Sequence, residues 1–224
     1  MLAVYTFVFG LVFKVRLDQA DTSDNKFEFA LYLFSGLIVF NLFSECISRA
    51  PGLILANANY VKKVIFPLEI LPWITLGAAL FHMSISFLVL SLFLLAIGQT
   101  ISWVTLFLPI IILPLLLLIM GLSWLLASIG VFVRDIGQLI GIMLTMLLFL
   151  SPVFYPASAL PESVRGYLFL NPLTFIIEQV RDLLIGGKYP DWFGLGLYYG
   201  VALIVFCLGF VWFEKTRKGF ADVL

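Results

Sequence analysis

Apolar residues in this chain fall into long unbroken runs, not at every second position or along one narrow stripe. Runs free or nearly free of charge cover about 29–47, 70–98, 103–133, 136–155 and 194–213, each bounded by charges, Gly or Pro. About 20 consecutive apolar residues as a helix cross a hydrocarbon layer, and a helix satisfies its backbone groups internally where water is absent. The runs are too long for strands and lack the alternation of a membrane barrel. They predict five membrane-spanning helices. A shorter run, Met1–Phe13, would rise only about 20 Å as a helix. It has neither the basic start nor the small-residue cleavage site of a signal peptide. It reads as a sixth, truncated span whose beginning is missing.

Six helices put both chain ends on one side. With the ends inside, the inner segments carry Arg49, Lys62, Lys63, Arg134, Lys215, Arg217 and Lys218, seven against six outside. Lys62-Lys63 and Lys215 to Lys218 form compact groups near helix ends, which agrees with basic residues staying on the cytoplasmic side. Both termini are therefore expected in the cytoplasm.

Three connections separate the runs. The outer loop 14–28 is short, polar and mildly acidic and reads as solvated. The inner connection 48–69, SRAPGLILANANYVKKVIFPLE, suits an amphipathic helix on the membrane surface or a docking segment for a soluble partner. Glu45 and Arg49 stand four apart, so a helical ion pair would continue the second span. The outer connection 151–192 predicts two short helices. One begins at Pro161-Glu162; the other is capped by Asn171-Pro172 and ended by Gly186-Gly187. Each is too short to span and too apolar to sit in water, which suggests segments that dip back into the membrane. Glu178, Arg181 and Asp182 on the second would then face each other or a wet cavity, because charge in lipid costs several kcal/mol.

Composition narrows the function class. Of 224 residues, 62% are hydrophobic and 12% charged, with mean hydropathy +1.13. A soluble domain carries about twice that charge, so a soluble enzyme is excluded. Thirteen Lys and Arg balance thirteen Asp and Glu, leaving no basic excess for nucleic acid. Cys46 and Cys207 sit far apart in apolar runs and read as two buried thiols, since a disulfide framework or zinc site needs clustered ligands.

Catalytic patterns are missing. The Gly187-Lys188 step is followed by Tyr189 and cannot be a nucleotide-binding loop, which needs Lys followed by Ser or Thr. One histidine rules out a His-based metal pair within the chain, and no Ser-His-Asp set assembles around it. The chain is expected to have no catalytic residue, metal or cofactor of its own. His82, mid-way along the third span, reads either as a proton relay or as a neutral imidazole bonded to Ser84, Ser86 or a neighbouring helix. Trp73, Trp103, Trp192 and Trp212 fall near span ends, where aromatic belts form. Tyr5, Phe149, Phe154 and Tyr155 could stack on sugar rings along a pore, or simply pack. Arg134-Asp135 is either the tip of a helical hairpin or a contact for a motor subunit.

Four stretches, in this order, resemble the ABC-2-type permeases that export polysaccharides such as O-antigen, capsule or teichoic acid. They are NANYVKKVIFPLEILP at 57–72, FVRDIGQL at 132–139, LSPVFYP at 150–156 with LNPLTFIIEQVRDLLIGG at 170–187, and FEKTRKGFADVL at 213–224. The resemblance implies an all-α integral membrane fold over 1–224, with six spans and re-entrant helices between the fifth and sixth on the outer side. It implies a homodimer in the bacterial cytoplasmic membrane, with two copies of a separate ATPase that binds Mg-ATP, and a lipid-linked polysaccharide passing between the halves. Coupling to the ATPase falls on the segment from Arg49 through Asn57 to Lys62 and Lys63, to which Arg134 and Asp135 are added. The exit gate falls on about Pro161–Ile185, and Tyr5, Phe149, Phe154, Tyr155, Glu178 and Arg181 are the path or gate candidates. Family members usually begin with a cytoplasmic amphipathic helix that this sequence does not contain, so a clipped or mis-started sequence is expected. Three other readings compete: an ABC-2 exporter of a drug or small lipid, a secondary transporter using His82, and a membrane glycosyltransferase or phosphatase. The last would need clustered acids, whereas Asp18, Asp21, Asp24 and Glu28 are scattered on a loop.

Overall fold

The computed structural model describes residues 24–59, 66–96, 102–155, 166, 168 and 171–223. Among these, every regular element is helical: α1 (Asp24–Arg49), α2 (Leu53–Ala56), α3 (Leu71–Ala96), α4 (Leu108–Phe132), α5 (Ile136–Leu150), α6 (Pro172–Leu184), α7 (Trp192–Thr216) and α8 (Phe220–Val223), joined in places by single 3₁₀ turns. Among the described residues, four stretches are long and apolar enough to cross a membrane: Ala30–Ala56, Leu68–Ala96, Trp103–Phe132 and Trp192–Gly219. The run expected to be the fifth span stops short. α5 has 15 residues, because Pro152 disfavours helical backbone at the residue before it. The run at Met1–Phe13 lies outside the described residues, as does the helix expected from Pro161.

The first candidate span also differs from expectation. Its apolar run was bounded by Arg49, yet helical backbone continues through a 3₁₀ turn, Ala50–Gly52, into α2. Pro51 sits at the start of that turn, where a missing N–H is tolerated. Arg49 thus lies within a stretch long and apolar enough to cross a membrane, two residues before the bend at Pro51.

The described residues fall into two compact units. One comprises those of Met1–Phe40, Ile85–Leu108 and Leu147–Pro190. Its centre is α6, whose Leu173, Ile176, Ile177, Val180 and Leu183 are all buried. Their spacing of three and four makes one apolar face. Asn171 caps α6 as its sequence predicts, accepting from Leu173 N at 2.9 Å, with Pro172 in the first turn. The helix ends where Gly187 takes φ +58°, a conformation a side chain would strain, and Lys188 N donates to Asp182 O at 3.0 Å.

The other unit comprises Asn41–Ser84, Pro109–Met146 and the described part of Asp191–Leu224. Its spine is the crossing of α4 and α7, where the two backbones touch. A Cβ on Gly121 would stand 2.5 Å from Val205 O, and one on Gly209 would run into the Gly121 carbonyl. Small residues at such crossings let helices in lipid gain van der Waals contact. Beside them, the Ser128 and Thr216 hydroxyls are 2.6 Å apart, and the Tyr199 hydroxyl donates to Ile110 O at 2.8 Å. Buried Trp124 lies edge-on to Phe206 and Phe210, with ring centroids 5.0 and 5.1 Å away.

The other four tryptophans, Trp73, Trp103, Trp192 and Trp212, stand near helix ends and are exposed. Cys46 is buried as expected, but Cys207 is exposed on α7. That helix is apolar on every side, so its composition does not mark the packed face.

Candidate functional site

Four helix ends are tied together at one end of the second unit. Gly130, near the end of α4, lies against the Pro51 carbonyl in the bend after α1. Phe132 packs on Phe220 at 6.0 Å, and Phe220, fully buried, packs on Phe213 of α7 at 5.6 Å. The turn before α3 joins them: Trp124 Nε1 donates to Glu69 O at 3.1 Å, and Arg217 bridges the Glu69 and Glu214 carboxylates at 3.1 and 3.0 Å.

Of the residues expected to couple to an ATPase, Arg134 and Asp135 follow the end of α4 and Asn57 follows α2. Arg134 and Asp135 are both exposed in the turn between α4 and α5, and the Asp135 carbonyl accepts from Gln138 N at 3.1 Å. Asn57 closes α2, its Nδ2 donating to Leu53 O at 2.8 Å. Arg49, directly before the bend after α1, pairs with Glu45 at 3.0 Å, the four-apart pair read from the sequence. Lys62 and Lys63 lie outside the described residues.

In the first unit the path and gate candidates divide. Phe149 is exposed and Phe154 buried, with centroids 5.8 Å apart. The Tyr155 hydroxyl folds back on the end of α5, donating towards the carbonyls of Phe149 and Leu150 at 3.2 and 3.3 Å. Asn171 Nδ2 donates to Ser151 Oγ at 2.8 Å, which fastens the start of α6 to the same turn. Tyr5 lies outside the described residues.

Arg181 does not line a wet cavity. It is 4% exposed, and its guanidinium serves three carbonyls. Nε and Nη2 donate to Tyr32 O at 3.1 and 2.9 Å, Nη2 to Val153 O at 2.9 Å, and Nη1 to Pro152 O. The same group stacks 3.5 Å over the Tyr32 ring. Gly36 makes the approach possible, since a Cβ there would stand 2.6 Å from Nη2. Burial pulls the guanidinium down to about 10, which leaves it charged at neutral pH, and half-buried Glu178 one turn earlier favours that charge. Asp182 turns away to Lys188 at 3.2 Å. The planar fork of Arg suits several acceptors at once, as Lys would not. Sequence reading could not find this cage, because backbone carbonyls have no residue signature.

A second constellation was only half read. His82 Nδ1 lies 3.0 Å from a Glu45 oxygen, so the ring meets a neighbouring helix, one of the partners expected for it, through a carboxylate that the sequence did not single out for this contact. Among the described residues no group of three or more His, Cys, Asp or Glu could hold a metal.

The ABC-2 type transporter profile matches residues 1–185. The O-antigen export system permease protein RfbA of Klebsiella pneumoniae is 24% identical over 99% of this chain and 82% of its own length. Its namesake from Myxococcus xanthus is 26% identical over 98% of this chain and 83% of its own. The polysialic acid transport protein KpsM of Escherichia coli is 25% identical over 85% and 74%.

Proposed function

The chain belongs to the ABC-2 type transporter family, and from that premise we propose that it is the permease subunit of an ATP-driven exporter of lipid-linked polysaccharide. One observation carries the cargo: relatives matched over 85% to 99% of this chain are named for O-antigen export or polysialic acid transport. The fold supports a transport role, with four membrane-length helices among the described residues.

In this reading a span in Met1–Phe13 and the shorter α5 complete six crossings, with both termini in the cytoplasm of a bacterial inner membrane. α6 is part of a re-entrant pair on the outer side. Its 13 residues are too few to cross, and its apolar face is buried. Two copies assemble with two ATPase subunits, which bind and hydrolyse Mg-ATP. ATP binding then shifts the permease between closed and open arrangements by favouring the state it binds better.

The ATPase docks on the tied end of the second unit, with Arg134 and Asp135 as exposed contacts, and Asn57, Lys62 and Lys63 are assigned to the same coupling from the sequence. Reversing both charges, Arg134→Glu with Asp135→Lys, should cut co-purification of the ATPase at least tenfold and stop export, with membrane abundance unchanged. Affinity capture from mild detergent reads this directly. Capture at the wild-type level would remove the docking assignment. For the function itself, deletion of the gene should strip the glycan from the cell surface and accumulate it inside on its lipid, and the full chain should restore it.

A further inference from the structure

Membrane-facing helices expose apolar side chains, and ionisable groups at membrane depth face a protein interior or water because lipid penalises them by several kcal/mol. The outward side of α1 reverses the usual pattern. Between Ala30 and Arg49 its exposed residues are Asn41, Ser48 and Arg49, all polar, while the rest of this stretch is buried or half-buried. Glu45 stands among them, and spacings of three and four put all four on one face. The large exposed side chains of α7 from Trp192 to Trp212 are apolar, Leu197, Val201, Ile204 and Leu208 among them, as are Phe81, Ile85, Leu88 and Leu92 on α3.

This polar face runs from Arg49, just before the bend at the tied end of the second unit, towards the middle of the helix. Asn41 and Glu45 flank the centre of the candidate span Ala30–Ala56, and His82 marks the centre of Leu68–Ala96. Glu45 joins them, accepting from Arg49 at 3.0 Å and contacting His82 Nδ1 at 3.0 Å. The carboxylate is 19% exposed, whereas the Arg49 and His82 side chains are 57% and 59% exposed. The ends of the network are open and its middle is closed.

We propose that Asn41, Glu45, Ser48, Arg49 and His82 form a hydrated strip that contacts the hydroxyl-rich polymer during export. The assignment rests on the export reading above and names the side chains that touch its cargo. Sugar hydroxyls both donate and accept, and the strip offers amide, hydroxyl, guanidinium, imidazole and carboxylate groups. Its opposite charges neutralise one another within the chain, so it presents hydrogen-bonding groups without a strong net field. Such contacts exchange readily with water, as a sliding chain requires. Burying the same strip against a second copy would desolvate an ion-paired network, a cost that often exceeds the gain.

The test uses the full chain with its ATPase in membrane vesicles of both orientations, in a Cys46→Ala, Cys207→Ala background. A small charged methanethiosulfonate reports water access at single introduced cysteines. Asn41→Cys and Ser48→Cys should react at least tenfold faster than Ile85→Cys and Ile204→Cys, and loading with lipid-linked glycan should slow them at least fivefold. Slow reaction in vesicles that export glycan would overturn the strip and leave the export reading standing. So would an Asn41→Cys disulfide between two copies, or fast labelling that glycan does not alter during export. Fast labelling in vesicles with no ATP-dependent export would overturn the export reading and the cargo contact together.

Discussion

Gly209→Leu is expected to leave little folded protein in the membrane. The α4–α7 crossing has no room for a side chain at this position, because a Cβ would already strike the Gly121 carbonyl. Overpacking a core costs about 1–3 kcal/mol where side chains can shift; here two backbones must part, and the loss should exceed that range. Separating the helices would also break the 2.6 Å Ser128–Thr216 contact and unseat Trp124 from Phe206 and Phe210. Gly121→Leu should behave alike. Gly196→Leu and Gly200→Leu on the same helix are the controls, since a Cβ at either meets nothing within 4 Å. Detergent-solubilised protein resolved by size-exclusion chromatography after heating reads the difference. Equal survival of the Gly209 and Gly200 variants would refute the close crossing.

Arg181→Met carries the second large effect. It removes the donor that serves Pro152 and Val153 carbonyls beyond the end of α5, and each buried polar group left unpaired costs about 1–3 kcal/mol. The Tyr32 carbonyl loses less, being within a helix, although the ring beneath the guanidinium is uncovered as well. Arg181→Lys should fall between, because an ammonium cannot reach three carbonyls in the geometry of a fork. Gly36→Ala tests the same cage from the opposite wall. Its methyl would stand 2.6 Å from Nη2, so it should destabilise the wild type clearly and the Arg181→Met variant much less. Such a coupling of about 1 kcal/mol or more marks residues in direct contact. Additive losses would mean that Arg181 and Gly36 act apart.

Much of the architecture was legible because the bilayer imposes it. Each charge-free run over 70–155 and 194–213 became a helix, with ends displaced by a few residues where Pro or a cap decided the boundary. Asn171-Pro172 and Gly186-Gly187 marked α6 correctly, since caps and left-handed turns restrict residue type. Glu45 and Arg49 declared their pairing through helical spacing.

What stayed hidden depends on faces and on backbone. Arg49 was read at one margin of the inner connection, and nothing in the residue pattern marked the 3₁₀ turn that carries helical backbone past Pro51 to Ala56. Arg181 was read as facing other charges or a wet cavity; Glu178 does act on it, but its hydrogen-bond partners are carbonyls from distant segments. On α7, apolar all round, the packed side shows only in Gly209, and Cys207 fell on the open side instead of the buried one. Glu45 with His82 joined only once the helices were side by side.

The central claim is that this chain moves a lipid-linked polysaccharide across a membrane when its ATPase partner turns over. The most direct measurement reconstitutes the full protein with that ATPase in vesicles loaded with lipid-linked glycan on the ATPase side. A glycosidase on the opposite side then reports newly exposed sugar. The expected result is exposure that needs ATP, stops in an ATPase mutant unable to hydrolyse it, and fails for the same lipid without its glycan. Glycan that stays protected while ATP is hydrolysed at full rate, or that crosses without ATP, would contradict it.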